Sequence, residues 1–392
     1  MVIFVYFLVF GAAIGMGMVK PLLPLYLRGL GASAFEVGLL VSGFMLARSI
    51  SSLLIGALSD RFGRKPFIVA GLLGLSLSTL SLVFIPNPHL VVLMRTLQGF
   101  FAGAVWPQLQ ILVGEASKRS FRSRAIGIYF IIGSLGMGIG SGLASLVLSL
   151  VTRYRSIPEQ DAVKWVFVIA AFIVLFSMVF IREGKREGGT EKTSEGGFSL
   201  GAWIYVFGFF MGFVLGLYNS IFLLHLKEFF GFNMRGVALL MFLFGLGGIF
   251  FTYLLSHLAD KLDGMWVLRG IVAVAAFSSL FLPLTRSLTV SLVLAFLILC
   301  TMRGFLPVSR SIVISSGGRK GTKVGALNSV SNLGSVISPL IGGFAYDKLR
   351  LFGSRISIFL LLGALILVVL VFEVAGSFVR KTPSPSDRTG LL

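Results

Sequence analysis

The sequence predicts an all-α membrane protein, with twelve transmembrane helices in two parallel six-helix repeats. Three observations carry this. Of 392 residues, 56% are hydrophobic and only 12% charged, with a mean hydropathy of +0.97. A water-soluble chain of this size would need more polar side chains to cover its surface. Twelve apolar runs of about 20 residues, the length that crosses a hydrocarbon core, follow one another along the chain. Landmarks of the first half then recur in the second at an offset of about 200 residues.

The runs fall at 2–27, 36–58, 66–85, 90–114, 125–151, 163–181, 199–226, 235–256, 266–284, 288–314, 325–346 and 354–376. They are continuously apolar and do not alternate, which excludes barrel strands and leaves helices, whose backbone groups pair internally. The first run starts beside Met1 and continues through Pro24 with no small-residue cleavage site, and eleven more runs follow. It is expected to be the first helix and not a removed signal peptide. The expected organisation is a first bundle over 1–182, a cytoplasmic linker at 183–198 rich in Gly, Glu, Lys and Ser, a second bundle over 199–376, and a cytoplasmic tail at 377–392.

The net charge of +19 raises the question of nucleic acid. That would need a clustered basic face, whereas these positives are scattered among loops, so no nucleic-acid partner is expected. The even-numbered loops and the tail hold about twice as many Lys and Arg residues as the odd-numbered loops, which places the even loops and both termini in the cytoplasm. In this assignment Lys20, Arg28 and Lys227 belong to odd loops and Arg269 and Arg310 to even loops. Arg48, Arg95 and Arg303 alone lie inside spans. The single cysteine, Cys300, allows no disulfide within the chain.

The repeat pairs Val5-Tyr6 with Ile204-Tyr205, Arg28 with Lys227, Asp60-Arg61 with Asp260-Lys261, Pro107 with Pro307, and Gly136 with Gly334. Between spans two and three lies Gly56-Ala57-Leu58-Ser59-Asp60-Arg61-Phe62-Gly63-Arg64-Lys65. The pattern G-x-x-x-D-R-x-G-R-K at this place resembles the loop signature of the major facilitator superfamily. That resemblance implies a substrate site near the membrane midplane between two parallel six-helix repeats. It also implies a conformational latch made by Gly56, Asp60, Arg61, Gly63 and Arg64, with Arg64 pairing to an acid at the end of span four, here Glu115. The plainer reading is a solvated turn whose acid caps a helix and whose cations set topology. The second copy is degraded: Asp260-Lys261 is followed by Leu262-Asp263-Gly264.

Arg95-Thr96-Leu97-Gln98-Gly99 opens span four and resembles the family's R-x-x-Q-G signature. An arginine inside a span is costly unless it finds a partner, water or the interface. Arg95 either snorkels from the helix end or faces a cavity together with Gln98. Arg303, deeper in span ten, has less freedom to snorkel and reads as cavity-facing, whereas Arg48 is open to a bracing role. Trp106, Tyr218 and Asn219 are further cavity candidates, because their polar atoms want partners. Glycines crowd spans five and eleven, and Gly136, Gly140, Pro339 and Gly343 are expected to let helices pack closely. The family's antiporter signature is only partly present, since Met137 stands where it has proline.

Lys20-Pro21-Leu22-Leu23-Pro24-Leu25-Tyr26-Leu27, at the end of span one, resembles the superfamily's drug-efflux members. Those often carry an acid inside the first helix, and 11–18 holds none here. No carboxylate lies deep in any span. His225, near the outer end of span seven, can titrate, but a lone histidine at a helix end is more often just interfacial. No metalloprotease, nucleophile-elbow or phosphate-loop motif is present, so no enzyme activity, cofactor or metal is expected. The expected function is alternating-access transport of a small solute, with efflux of a drug-like or amphipathic compound leading. Transport of an organic or inorganic anion is the alternative, because the deep charges are all positive. A transporter-like membrane sensor is an alternative of another class. The expected setting is the lipid bilayer of the plasma membrane, the expected state a monomer, and protons are a candidate coupling ion.

Overall fold

A computed structural model of the chain describes residues 2–117, 122–181, 202–315, 320–349 and 355–379, and all regular structure among them is helical. The expected linker at 183–198 lies outside the described residues, as does the expected tail from 380 onward. The first pass is α1 (Val2–Val19) with α2 (Leu23–Gly29). Passes two to six are α3 (Ala34–Phe62), α4 (Lys65–Ser81), α5 (Pro88–Glu115), α6 (Arg122–Arg155) and α7 (Glu159–Ser177). The seventh is α8 (Trp203–Leu217), a π-turn (Tyr218–Phe222) and α9 (Leu223–Glu228). Passes eight to twelve are α10 (Met234–Lys261), α11 (Gly264–Phe281), α12 (Leu288–Ser315), α13 (Lys320–Lys348) and α14 (Ser357–Val379). Ten of the twelve are long and apolar enough to cross a membrane; the third, at 17 residues, is short for a span, and α13 is not among the ten.

The repeat holds helix by helix. Starts at Ala34, Pro88 and Arg122 have counterparts at Met234, Leu288 and Lys320, and Pro107 and Pro307 sit inside α5 and α12. The second helix of each half begins on a polar cap: the Ser33 side chain accepts from the Glu36 N–H, and that of Asn233 from the Gly236 N–H.

The two runs expected to be unbroken, 2–27 and 199–226, are both interrupted at the same depth. In the first, Pro21 and Pro24 cannot donate to the helical ladder, and a turn forms at Lys20–Leu22. In the second, Asn219 Nδ2 donates to the Leu215 carbonyl at 2.8 Å and Ser220 Oγ to the Gly216 carbonyl at 2.8 Å. These side-chain bonds compete with the backbone ladder, and the helix widens to a π-turn. The break corrects the assignment of Lys20 to an outer loop, because it falls inside the bundle. Arg269 and Arg310, also assigned to loops, lie within α11 and α12.

Close approach of backbones joins the helices. A Cβ on Gly140 would strike the Ile14 carbonyl oxygen, and one on Gly136 would sit 2.8 Å from that of Phe10, so α6 packs directly on α1. Gly334 holds the equivalent place in the second half, against the Phe209 carbonyl. Two seams run between the halves. Along α3 and α13, Gly38 meets the Pro339 carbonyl and Gly343 meets that of Ala34. Along α6 and α10, Gly142 meets the Phe242 ring and Gly245 approaches Gly138.

Within the second half, Arg269 grips Glu373 with two bonds of 2.8 and 2.7 Å, and its guanidinium lies 4.6 Å from the Trp266 ring. Glu373 is 4% exposed. Glu373→Gln should strand a largely buried cation at a cost on the order of 3 kcal/mol. The check is the thermal midpoint of the purified protein, which should fall in Glu373→Gln and recover in Arg269→Met combined with Glu373→Met.

Candidate functional site: a central cavity between two gates

A cavity of about 300 Å³ lies at the level of the helix breaks. It is lined from the first half by Met16, Lys20, Phe44, Arg48, Arg95, Trp106, Tyr129 and Met137 among others, and from the second by Leu215 and Asn219. A smaller cavity of about 90 Å³ adjoins it, lined by Lys20, Met137, Tyr218, Asn219, Met241 and Arg303 among others. Lys20, Met137 and Asn219 belong to both, so the two form one polar–apolar chamber between the halves. Arg95, Trp106, Tyr218, Asn219 and Arg303 thus meet in one place. Arg48, open to a bracing role, lines it as well.

The chamber's charge is one-sided. Lys20, Arg48, Arg95 and Arg303 line it, and among the described residues no Asp or Glu does. Arg95 Nη1 donates to Gln98 Oε1 at 2.8 Å, and its guanidinium lies 4.1 Å from the Phe44 ring centroid. Gln98 in turn donates to Thr79 Oγ1 at 3.0 Å, so its role is to hold Arg95 from behind. Arg95 Nε and the Tyr218 hydroxyl are buried without a hydrogen-bond partner. The side chains of Lys20, Arg48 and Arg303 make no hydrogen bond or ion pair among the described residues. Trp106 is held by its own bond to Met16 Sδ at 3.3 Å, and its carbonyl accepts from the Tyr129 hydroxyl.

At the end of the bundle opposite the chain termini, carboxylates clasp the halves together. Glu228 accepts from Arg28 Nε at 2.6 Å across the seam, and from Arg355 Nη1 at 2.7 Å and the Tyr346 hydroxyl at 3.0 Å. Asp347 accepts from the backbone N–H groups of Ala34 and Phe35, so an acid of the second half caps α3. Glu159 accepts from the Met234 N–H at 2.8 Å and caps α10 from the first half. Both caps place a negative charge at the positive end of a helix dipole. His225 is buried beside this clasp, stacked on Phe229.

The end nearest the termini is different. A Cβ on Gly56 or Gly127 would meet nothing within 4 Å among the described residues. Arg310, bonded to Asn328 in its own half, meets the Phe130 ring of the first half at 5.8 Å. Gly63 closes α3 with φ 88° and ψ 162°, a conformation open essentially to glycine alone. The loop is tied to α5 through Gln108, whose Oε1 accepts from Ser59 Oγ at 2.8 Å and from Arg64 Nη1 at 3.0 Å. Arg61 lies 5.4 Å from the Phe62 ring. The side chains of Asp60 and Glu115 lie outside the described residues.

Three contributors escaped sequence reasoning. Lys20 was hidden by its closeness to the loop, although the two flanking prolines signal the break that places it. Gln108 carries no pattern beyond its neighbour Pro107. Glu228 could have been found from its place at the repeat offset opposite Arg28.

A bundle of twelve passes in two repeats, with a chamber between the halves and a gate at either end, defines a membrane transporter. The family model for the Major Facilitator Superfamily matches residues 5–316 and again 204–391, and the chain belongs to that family. It is similar to multidrug resistance protein 2 of Bacillus subtilis (strain 168), 26% identical over 86% of this chain and 87% of that protein. It is also similar to the quinolone resistance protein NorA of Staphylococcus aureus (strain MSSA476), 24% identical over 87% of this chain and 89% of NorA. Among solved structures, a bacterial homolog of the human lysosomal transporter Spinster, in an inward-facing and occupied conformation, superposes with a TM-score of 0.76 at 15% identity, covering 96% of this chain and 95% of that one. That likeness concerns the fold.

Proposed function

We propose that this protein exports a small amphipathic compound across the plasma membrane by alternating access. The observation that carries the reading is the chamber between the halves, held by the carboxylate clasp at one end and with open space beside Gly56 and Gly127, among the described residues, at the other. The excess of Lys and Arg in the even-numbered loops puts the termini, and the end with Gly56 and Gly127, in the cytoplasm. The conformation is then inward-facing, ready to load from inside. The names of the relatives, multidrug and quinolone resistance, support export. The working units are the bundles over 1–182 and 199–376, joined by a cytoplasmic linker at 183–198 and followed by the tail at 377–392; one copy suffices, since the chamber is complete within one chain. The mixture of aromatic, methionine and cationic side chains suits a ligand with an apolar body and a polar head.

The test is transport in proteoliposomes with an imposed pH gradient, against a panel of anionic, neutral and cationic aromatic solutes. Gradient-driven movement of at least one solute, toward the face opposite the termini, is the expected result. No protein-dependent movement of any of them overturns the reading. A second expectation concerns Gly56. With open space around it now, Gly56→Leu should leave stability unchanged yet block closure of the cytoplasmic end, and transport should fall at least about tenfold. Wild-type rates in that variant would place the closing contact elsewhere.

A further inference from the structure

We propose that the chamber is an anion site, and that the exported compound is an organic anion with an aromatic or aliphatic body whose acidic head is held between Lys20 and Arg303. This rests on the export reading and narrows it to a substrate class. Four cationic side chains line the two joined cavities, and no carboxylate among the described residues lines either. A cation buried in a bilayer-embedded protein finds a counter-charge, water or backbone oxygens, because its desolvation is otherwise uncompensated. Here no counter-charge lines the cavities among the described residues. The second half contributes Arg303 and the first half Lys20, so an anion bridging the two would draw the halves together over it.

The geometry separates the roles of the four. Arg95 is already engaged by Gln98 and by the Phe44 ring, which leaves its unpartnered Nε as one donor. Lys20 stands on the turn between α1 and α2, at the boundary of both cavities, with its ammonium unpaired. Arg303 stands on α12 with Gly248 close against its side chain, where a Cβ would lie 2.7 Å from Arg303 Cδ. The arginine is therefore steered by packing and not by a hydrogen bond. Tyr218, whose hydroxyl is buried without a partner, lines the smaller cavity with it. Ammonium, guanidinium and amide donors from Lys20, Arg303 and Asn219 line the smaller cavity, which suits a sulfonate, phosphate or carboxylate head. Met16, Phe44, Met45, Trp106 and Phe130 line the larger one, which suits the apolar body. A lipophilic cation would meet like charge from both halves.

The experiment uses three probes with the same ring and different charge: naphthalenesulfonate, naphthyltrimethylammonium and neutral methyl naphthyl sulfone. Binding to the purified full chain in nanodiscs is measured by calorimetry, and transport of the same probes in proteoliposomes. The sulfonate should bind at least about tenfold more tightly than the ammonium compound. Lys20→Gln and Arg303→Gln should each weaken the sulfonate about tenfold and leave the sulfone within about twofold, and Lys20→Arg should restore the sulfonate. Equal or tighter binding of the ammonium compound overturns the anion site, as does an equal loss for sulfonate and sulfone in the variants. Binding of none of the three overturns it too. Transport separates the two readings. Export of the ammonium compound or the sulfone without sulfonate preference leaves export standing and removes the anion site. Sulfonate binding with no export leaves the site and removes export.

Discussion

Replacing Arg64 with alanine should reduce transport by about tenfold or more while the protein stays folded and inserted. Arg64 ties the loop after α3 to Gln108 on α5, and Ser59 makes the second bond to the same oxygen. Both bonds act on a helix end that, in the proposed cycle, moves when this side closes, and Gly63 fixes the loop's shape next to them. Losing a charge-assisted bond costs about 1.5–3 kcal/mol where water is excluded. Arg64 is half-buried, so the lower part of that range applies, which is still about tenfold in a conformational equilibrium. Gln108→Leu should reproduce the defect by removing the shared acceptor. Asp60→Asn is expected to act with it, as the resemblance of the loop implies. The readout is initial transport rate in liposomes alongside the yield of monodisperse protein. Wild-type rates in both Arg64→Ala and Gln108→Leu would reduce the loop to a topology signal.

Glu228→Gln should shift the protein toward the state open at the opposite end. One carboxylate there accepts from Arg28, Arg355 and Tyr346, and only the bond to Arg28 crosses between the halves. Glutamine keeps the size and removes the charge, leaving two guanidinium groups facing each other. Glu228 is 20% exposed and its partners 25% and 41%, so water screens part of the effect, and an order of 1–2 kcal/mol is expected. That is about a tenfold change in population. A cysteine placed at Leu40 in a Cys300→Ser background should react faster with a membrane-impermeant thiol reagent added from the clasp side. An unchanged rate would mean that the caps from Asp347 and Glu159 hold this gate without Glu228.

Much of the fold was legible because a bilayer leaves few options. A run of apolar residues of spanning length is a helix almost by necessity, and the repeat offset marked the two halves. What the composition could not resolve was where a helix breaks inside a span. Pro21 and Pro24 were visible, yet they fall where a helix end is just as natural, and Lys20 went to the loop. The π-turn at Tyr218 left no mark at all, since it follows from side-chain bonds of Asn219 and Ser220 that compete locally with the backbone. Within the site, Arg95 and Arg303 stood out because charge is scarce in spans. Gln98 and Gln108 did not reveal their work, because an amide's value lies in which partner it meets, and that partner is set by neighbouring helices. The carboxylates at the clasp were legible as residues near helix ends. Their reach across the seam became visible only when the halves were placed side by side.

The chamber's unbalanced cations also bear on membrane voltage. A cell interior is electrically negative, and moving one elementary charge through the full field is worth about 2.3 kcal/mol per 100 mV. In the proposed orientation, an empty chamber open to the cytoplasm holds its positive charges at the favourable potential, and turning them outward works against the field. A bound anion cancels part of that charge, so the loaded carrier crosses with less electrical opposition than the empty one. The resting voltage would then favour the inward-facing form between cycles, and the empty carrier's exposure of its positive chamber to the outside would be the voltage-sensitive part of the cycle.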